Sequence, residues 1–186
     1  MAVADEPVAT AGELPDPVDP RQLSLLGAAW TAGSVKYLAH AGVSSLTYFE
    51  TTGWRGVLER ESGSPLPERF RSRPGEPFPL YHLLRDLGEL RTGSLLDCDV
   101  TDPLAAVGLG IRRRDATTLL VANLRPDSQT MRIDGLESRS SIRRLNQETA
   151  AQAGACIEEF RRQPEPLEDA RALKLLPYEI ARIDAY

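Results

Sequence analysis

The first half of the chain contains a single segment with the character of a β-strand, and this feature constrains the fold most. Residues 43–49 are rich in β-branched and aromatic side chains and directly follow Gly42. Helical patterns flank the segment at 20–41 and 79–90, an order typical of parallel α/β proteins. A lone buried strand with two helices has no neighbour to complete its backbone hydrogen bonds. Residues 19–92 are therefore predicted to be the end of a larger α/β unit.

Both helix predictions rest on terminal signals and on apolar spacing. The first helix has Asp19 as its N-cap, Pro20 at its first position and Gly42 at its end, and small residues fill its middle, which favours close packing on a sheet. The second helix carries one apolar stripe, formed by Leu80, Leu83, Leu84, Leu87 and Leu90. Before the first helix, the acidic, proline-rich residues 1–18 predict a loop or a disordered arm. The long loop 51–78 has the length of a functional loop.

From residue 93 to residue 186 the pattern changes to short β-like runs separated by turn signals. Met131 and Ile133 alternate with polar neighbours, as in a strand with one solvated face. A polar, partly helical stretch interrupts the runs at 147–170. The predicted strands are 94–100, 104–112, 117–124, 128–134, 141–146, 172–176 and 178–184. This spacing is typical of a small antiparallel β-sandwich.

Charge and composition exclude several classes of protein. With 22 basic and 27 acidic residues, the net charge of -5 has the wrong sign for binding a phosphate backbone, so no nucleic-acid partner is expected. The basic runs 112–114 and 143–144 are expected to be solvated strand ends rather than an anion site. No apolar run approaches a membrane span, and no signal-peptide pattern begins the chain. Cys98 and Cys156 match no disulfide or zinc spacing and are expected to be reduced thiols. Together these features predict a cytoplasmic protein with no membrane partner.

The usual motifs for metals, dinucleotides and nucleophilic hydrolysis are missing from the sequence. His40 and His82 have no paired metal-ligand spacing, and a structural role is expected for each. The Gly-Leu-Gly run at 108–110 has Arg113 where a dinucleotide loop has its third glycine, and the run is predicted to lie in a strand. No Gly-x-Ser-x-Gly motif occurs. We therefore expect no cofactor and no metal.

The most distinctive motif is the run Tyr-Phe-Glu-Thr-Thr-Gly-Trp-Arg-Gly at 48–56. It is accompanied by the segments 19–22, 26–31, 34–38, 79–84, 120–124 and 176–182. Together these segments resemble the C-terminal part of the D-apionate lactonase family and, more loosely, glycoside-hydrolase-like barrels followed by a β-sandwich. The resemblance covers most of residues 19–186. It implies an α/β plus all-β fold class, in which the last βα unit of a partial (β/α)8 barrel precedes a small antiparallel β-sandwich.

By this resemblance, helix 20–41 is the seventh barrel helix, segment 43–49 the eighth strand and helix 79–90 the eighth helix. Glu50 then lies at a strand end, where barrel enzymes place catalytic groups. Its expected role is as general base for water attacking a lactone carbonyl, or as an acceptor for sugar hydroxyls. The predicted substrate-binding residues are Tyr48, Thr51, Thr52, Trp54 and Arg55, with Trp54 as an apolar platform and Arg55 as a carboxylate clamp.

Two alternatives concern the same loop. Glu50 and Arg55 would form a structural ion pair if they had no catalytic role, and the loop as a whole would be open to proteolysis if it were disordered. Glu59, Glu61 and Glu68 are expected to be solvated charges. No second catalytic carboxylate is evident in the sequence.

The function implied by the resemblance is that of a carbohydrate-acting hydrolase that opens a sugar-acid lactone when intact. Because only the last βα unit is predicted here, we expect little or no activity from this chain alone. We also expect it to need a partner that supplies the missing barrel portion in trans. The alternative from another class is a non-catalytic β-sandwich module that binds carbohydrate or braces a neighbouring domain.

Overall fold

The computed structural model describes residues 12–114, 116–136 and 139–186. The helices within these residues are α1 Leu25–His40, α2 Pro79–Glu89, α3 Ala150–Ala155 and α4 Ile157–Arg161. The strands are β1 Ser94–Leu96, β2 Ala106–Arg113, β3 Ala116–Asn123, β4 Gln129–Met131, β5 Ser140–Leu145, β6 Glu165–Pro166, β7 Leu173–Leu175 and β8 Ile180–Ala185.

The predicted first helix is divided into two helices with separate caps. The side chain of Asp19 accepts a hydrogen bond from the backbone N of Arg21 and caps a short 3-10 helix, Pro20–Leu23. Ser24 then caps α1 by accepting from the backbone N of Gly27. The second predicted helix is confirmed as α2. None of the helices in the described part of the chain is both long and apolar enough to cross a membrane.

The predicted strand pattern after residue 93 is confirmed as an antiparallel arrangement. Six strands form one sheet in the order β1-β2-β3-β8-β5-β6, while β4 and β7 form a separate pair. The strands β2 and β3 pair along their full length, from Ala106 opposite Asn123 to Arg113 opposite Ala116. The stretch 147–170 contains α3 and α4, as expected, and the short edge strand β6, which the sequence did not predict.

The six-stranded sheet is covered on both faces, which gives three layers. Successive residues of β3 point to opposite sides: Leu119 and Val121 face the β4–β7 pair, whereas Leu120 and Ala122 face the helices. On the helical face, the sheet packs against a core whose helix residues include Ala28, Ala29, Ala32, Leu80 and Leu83. The small residues of α1 allow the close approach that the sequence predicted.

Residues 43–49 do not form the buried strand that the sequence predicts. Side chains from Val43 to Thr47 are exposed, and no strand within the described residues pairs with this segment. The physical reason is that local β propensity is not sufficient, because a strand needs a neighbour for its backbone hydrogen bonds. No segment within the described residues supplies such a neighbour.

Part of the predicted N-terminal arm contributes to the fold. Residues 1–11 of the arm lie outside the described residues, whereas Val18 is buried and Leu14 packs beside it. Both side chains pack in a small core that also contains Trp54. Residues 12–18 thus form a loop that packs on the fold.

Candidate functional site

The predicted site lies on a tight turn at 50–58, directly after the unpaired segment. The backbone N of Glu50 donates to the carbonyl of Arg55 at 2.9 Å. Gly56 lies so close to Thr52 that a Cβ at position 56 would be 2.5–2.7 Å from the backbone atoms of Thr52. Only glycine fits this approach, and the resulting turn brings Arg55 back beside Glu50.

The carboxylate of Glu50 forms an ion pair with the guanidinium of Arg55. The side chains are 47% and 30% exposed, respectively. The Nε atom of Arg55 is buried and has no hydrogen-bond partner within the described residues. The structural pairing considered as an alternative is thus present, and about half of the Glu50 side chain is free to meet a ligand. The catalytic role of Glu50 stays a prediction.

Three of the predicted binding residues surround Glu50 in sequence and carry hydroxyl groups. Tyr48 is half-buried, and its hydroxyl forms a 2.8 Å hydrogen bond with Ser34 Oγ of α1. Thr51 and Thr52 are exposed. A hydroxyl both donates and accepts hydrogen bonds, so these side chains suit sugar hydroxyls. Their role in binding stays a prediction.

Trp54 does not offer the exposed platform that the sequence suggests. The side chain is 3% exposed and packs in a small core with Phe70 and Phe78. Its Nε1 atom donates to Ser64 Oγ at 2.9 Å. Because a sugar needs an accessible aromatic face, the platform role is wrong for this structure. Trp54 instead packs inside the long loop and stabilises it.

Glu59 is buried, whereas the sequence predicts a solvated charge. It is 2% exposed and accepts hydrogen bonds from the Arg60 backbone N, at 2.8 Å, and from the Ser72 hydroxyl. Its own backbone N donates to the carbonyl of Glu76 at 2.9 Å. Glu59 therefore ties the two ends of the loop together. Glu61 and Glu68 are exposed, as expected.

His82 is buried between helices, which agrees with the expected structural role. It is 2% exposed, and its Nε2 atom lies 3.1 Å from the carbonyl oxygen of Ala153 in α3. Burial lowers the pKa of His82 to about 4, so the ring is neutral near pH 7 and Nε2 donates to that carbonyl. Within the described ranges, no three His, Cys, Asp or Glu side chains are grouped to hold a metal ion.

The largest charge cluster of the described residues was not predicted from the sequence. Asp86 of α2 is 5% exposed and forms ion pairs with Arg143 at 2.6 Å, Arg161 at 2.6 Å and Arg182 at 2.8 Å. Glu89 forms ion pairs with Arg161 at 2.7 Å and Arg182 at 2.5 Å. Burial alone would raise the pKa of Asp86, but the three arginines outweigh burial and hold it below its usual value. The cluster joins α2 to β5, β8 and α4.

The pair Arg143-Arg144 was expected to be solvated, and this expectation is wrong. The Arg143 side chain is 11% exposed and binds Asp86. Arg144 binds the fully buried Glu179 at 2.6 Å. Both arginines therefore neutralise buried carboxylates, Arg143 from a largely buried position and Arg144 while 30% exposed.

A cleft of about 270 Å³ opens beside the Asp86 cluster. The arginines that line it are Arg85, Arg143, Arg161, Arg162 and Arg182, and the acids are Glu89, Glu158 and Asp184. Each arginine pairs with a nearby carboxylate, for example Arg85 with Glu158 at 2.6 Å. The cleft is thus a junction between α2 and the sheet that is lined by ion pairs.

The sequence did contain a signal for this junction. Asp86 borders the apolar stripe of α2, next to Leu83 and Leu90, where a charged side chain is expected to be at least partly buried. Arg182 and Asp184 alternate with buried residues along β8. A polar residue beside a buried stripe indicates a need for a counter-charge, although the sequence does not name the partner.

Comparison with family models gives two matches, both to one family. The model of the D-apionate lactonase TIM barrel domain matches residues 5–92. The model of the D-apionate lactonase C-terminal immunoglobulin-like domain matches residues 103–183. A complete TIM barrel typically has about 250 residues, so residues 5–92 correspond to a partial barrel domain.

Two solved structures share the fold at low sequence identity. A GH30 endoxylanase from Clostridium papyrosolvens C71 has a TM-score of 0.57 and 9% identity, over 87% of this chain and 37% of its own. A conserved exported protein from Bacteroides fragilis has a TM-score of 0.51 and 12% identity, over 96% of this chain and 37% of its own. The chain thus spans little more than a third of the length of each.

No curated protein matches the chain. The family assignment therefore rests on the two domain models, which together match most of the chain and agree with the antiparallel sheet observed after residue 93. The chain belongs to the D-apionate lactonase family, a carbohydrate hydrolase-like family.

Proposed function

We propose that this chain is part of a hydrolase that opens a sugar-acid lactone, with Glu50 as the reacting carboxylate. The observation that carries the proposal is that Glu50 is held by Arg55 while about half exposed. The resemblance places Glu50 directly after the last barrel strand. Family membership supports the substrate class. The activity of a whole family enzyme comes to this chain only as a proposal, because the chain spans 37% of the two solved structures.

In the proposed reaction, Glu50 takes a proton from a water molecule as the water oxygen attacks the lactone carbonyl carbon. The ring C–O bond then breaks, and the proton on Glu50 passes to the departing alkoxide, which yields the open hydroxy acid. Arg55 orients Glu50 and donates a hydrogen bond to the carbonyl oxygen as negative charge develops on it. Tyr48, Thr51 and Thr52 bind hydroxyl groups of the substrate.

The proposal includes little or no activity for the chain alone. Barrel active sites are built from the ends of several strands, and the resemblance assigns only residues 43–49 of this chain to a barrel strand. A cytoplasmic location is also proposed. Cys98 and Cys156 are both free thiols, as is usual in a reducing compartment.

Lactone hydrolysis by the full chain, alone and together with the preceding barrel portion of a full-length family enzyme, tests the proposal. We expect turnover only in the mixture, and we expect Glu50→Gln to lower it by at least about a hundredfold, the contribution typical of a general base. Glu61→Gln on the same loop is the matched control, since Glu61 is exposed and should leave the rate unchanged.

If the mixture does not assemble, the glutamate equivalent to Glu50 in a full-length family enzyme is replaced instead. In either setting, a Glu50→Gln variant that keeps the parent's fold and turnover would overturn the catalytic proposal. A folded variant without turnover supports it.

A second function is favoured by the Asp86 cluster. Asp86 of α2 binds arginines on β5, α4 and β8, so residues 93–186 brace α2 through buried charges. A purely bracing module would tolerate Glu50→Gln in every assay of the assembled enzyme. It would nevertheless lose stability when Asp86 is replaced.

A further inference from the structure

We propose that this chain carries a second ligand site, a groove that binds neutral carbohydrate. The groove begins at the cleft of about 270 Å³ between α2, α4 and the sheet, and it continues into a second cleft of about 580 Å³ at the β5–β6 edge. Ser141, Pro164 and Tyr186 line both clefts, so the two are continuous. We name them together the Tyr186 groove. The inference does not depend on the catalytic role of Glu50.

The groove has the size of a site for an extended ligand. Small-molecule sites in proteins typically have volumes of about 300–1,000 Å³. The first cleft is close to the lower end of this range, and the second lies within it. An ion would fill only a small part of this space, whereas a chain of several sugar units would extend through both clefts.

Tyr186 supplies an accessible aromatic face where the two clefts meet. The residue is 62% exposed, and its backbone N donates to the carbonyl of Arg139 at 3.1 Å. This bond holds the backbone of Tyr186 in place and leaves the ring free. A sugar ring has an apolar face of C–H groups, which packs on the face of an aromatic ring. Tyr186 therefore offers the platform that the buried Trp54 does not.

The polar lining of the groove suits hydroxyl groups. A guanidinium only donates hydrogen bonds and a carboxylate only accepts them, whereas a sugar hydroxyl does both. Arg85 and Glu158 form a 2.6 Å ion pair, and their side chains are 32% and 55% exposed. The two can therefore bind adjacent hydroxyls of one sugar while they stay paired. Ser141 of β5 adds a hydroxyl to the lining of both clefts.

The charges of the groove favour a neutral ligand over an anion. Six arginines and four carboxylates line the two clefts, and the buried Asp86 beside them supplies a fifth carboxylate. Arg161 and Arg182 each pair with both Asp86 and Glu89, at 2.5–2.8 Å. An anionic ligand would have to displace a carboxylate from such a pair and would leave a largely buried charge without its partner. An uncharged carbohydrate leaves every pair intact.

Titration calorimetry of the full chain tests the inference. The probes are neutral hexasaccharides of xylose, glucose, mannose or galactose, and an acidic hexasaccharide of galacturonic acid. We expect at least one neutral hexasaccharide to bind with a Kd of about 1 mM or lower. Because no charge is neutralised, its affinity should change little between low and high salt. Tyr186→Ala should weaken binding at least about tenfold, equivalent to about 1.4 kcal/mol.

Tyr37→Ala is the matched control, because Tyr37 of α1 is also aromatic, is 50% exposed and lies outside the groove. It should bind like the parent chain. Glu158→Gln is a second variant at an exposed position, and it should also weaken binding because a neutral amide is a poorer acceptor than a carboxylate. It decides the test if Tyr186→Ala does not fold.

Four outcomes would overturn the inference. In the first, no neutral hexasaccharide binds at this level. In the second, the folded variant that decides the test binds like the parent. In the third, Tyr37→Ala weakens binding as much as that variant does. In the fourth, only the acidic hexasaccharide binds and salt releases it, which would show an anion site. Sugar binding without Glu50-dependent lactone hydrolysis would contradict the proposed function but leave this inference standing.

Discussion

Replacing Asp86 with asparagine should strongly destabilise the chain. Asp86 is 5% exposed and neutralises three arginines whose side chains are only 5–11% exposed. Asparagine has nearly the same shape but no charge, so the guanidinium groups would remain buried with less compensation. Breaking a buried ion pair by removing one partner typically costs about 3–5 kcal/mol.

The structure predicts that the loss of unfolding free energy on Asp86→Asn lies near the lower end of that range. Glu89 continues to pair with Arg161 and Arg182, whereas Arg143 loses its one carboxylate partner within the described residues. We therefore expect a loss of about 3 kcal/mol from a free energy of unfolding that is typically about 5–15 kcal/mol. At an m value of about 2 kcal/mol/M, the midpoint of urea unfolding falls by about 1.5 M.

The pH dependence gives an independent check. The pKa of Asp86 is lower in the folded chain than in the unfolded chain. Its stabilising contribution is therefore fully present above about pH 4, the unfolded value, and is lost as the pH falls through the lower folded value. The parent chain should lose stability in this acidic range, and Asp86→Asn should lose less.

The matched control is Asp134→Asn, since Asp134 pairs with Arg132 on the surface, where both side chains are about two-thirds exposed. This change should cost less than about 1 kcal/mol. Adding Arg143→Met to Asp86→Asn should recover part of the loss, because the unpaired charge is then removed. A loss of under about 1 kcal/mol for Asp86→Asn at pH 7 would refute the reasoning.

Three further changes test other parts of the structure. Between pH 6.5 and about 4 the unfolded chain takes up a proton at His82 that the folded chain does not, so the free energy of unfolding should fall by about 3 kcal/mol. His82→Gln should remove that fall. An NMR titration of the His82 imidazole in the parent chain with a midpoint near 6.5 would contradict the argument. Trp54→Ala should cost about 3–5 kcal/mol and make the loop 57–78 sensitive to trypsin, while rapid cleavage of the parent there would show a disordered loop. Gly56→Ala should lower the thermal midpoint, because its Cβ would clash with backbone; an unchanged midpoint would mean that the turn relaxes freely.

Local patterns predicted much of the fold because they depend on nearby residues. The apolar stripe predicted α2. Short β-like runs separated by turn signals predicted the strands of the antiparallel sheet. The same reasoning failed at 43–49, where the propensity for a strand is local but its pairing partner is not. Trp54 was misjudged for a similar reason, since its burial depends on Phe70 and Phe78, well over ten residues further along the chain.

The predicted site shows the limit of local reasoning most clearly. Glu50 and Arg55 are five residues apart, so their ion pair is a property of one tight turn. The Asp86 cluster, in contrast, joins residues that lie 57 to 96 positions apart, and no local pattern indicates those partners. The sequence therefore predicted the members of the turn, but not the contacts that join α2 to the sheet.

The ion pair between Glu50 and Arg55 would form in an enzyme and in a brace alike, because the turn that creates it needs no partner. Catalysis has a further requirement, since a barrel site needs the ends of other strands beside Glu50. Those strands can approach only if residues 43–49 are paired. The enzyme hypothesis therefore requires paired residues at 43–49, whereas the bracing hypothesis requires only the Asp86 cluster. Slowed hydrogen exchange at 44–49 in the assembled protein is thus a necessary condition for catalysis through Glu50, and rapid exchange there would leave bracing as the function that the structure supports.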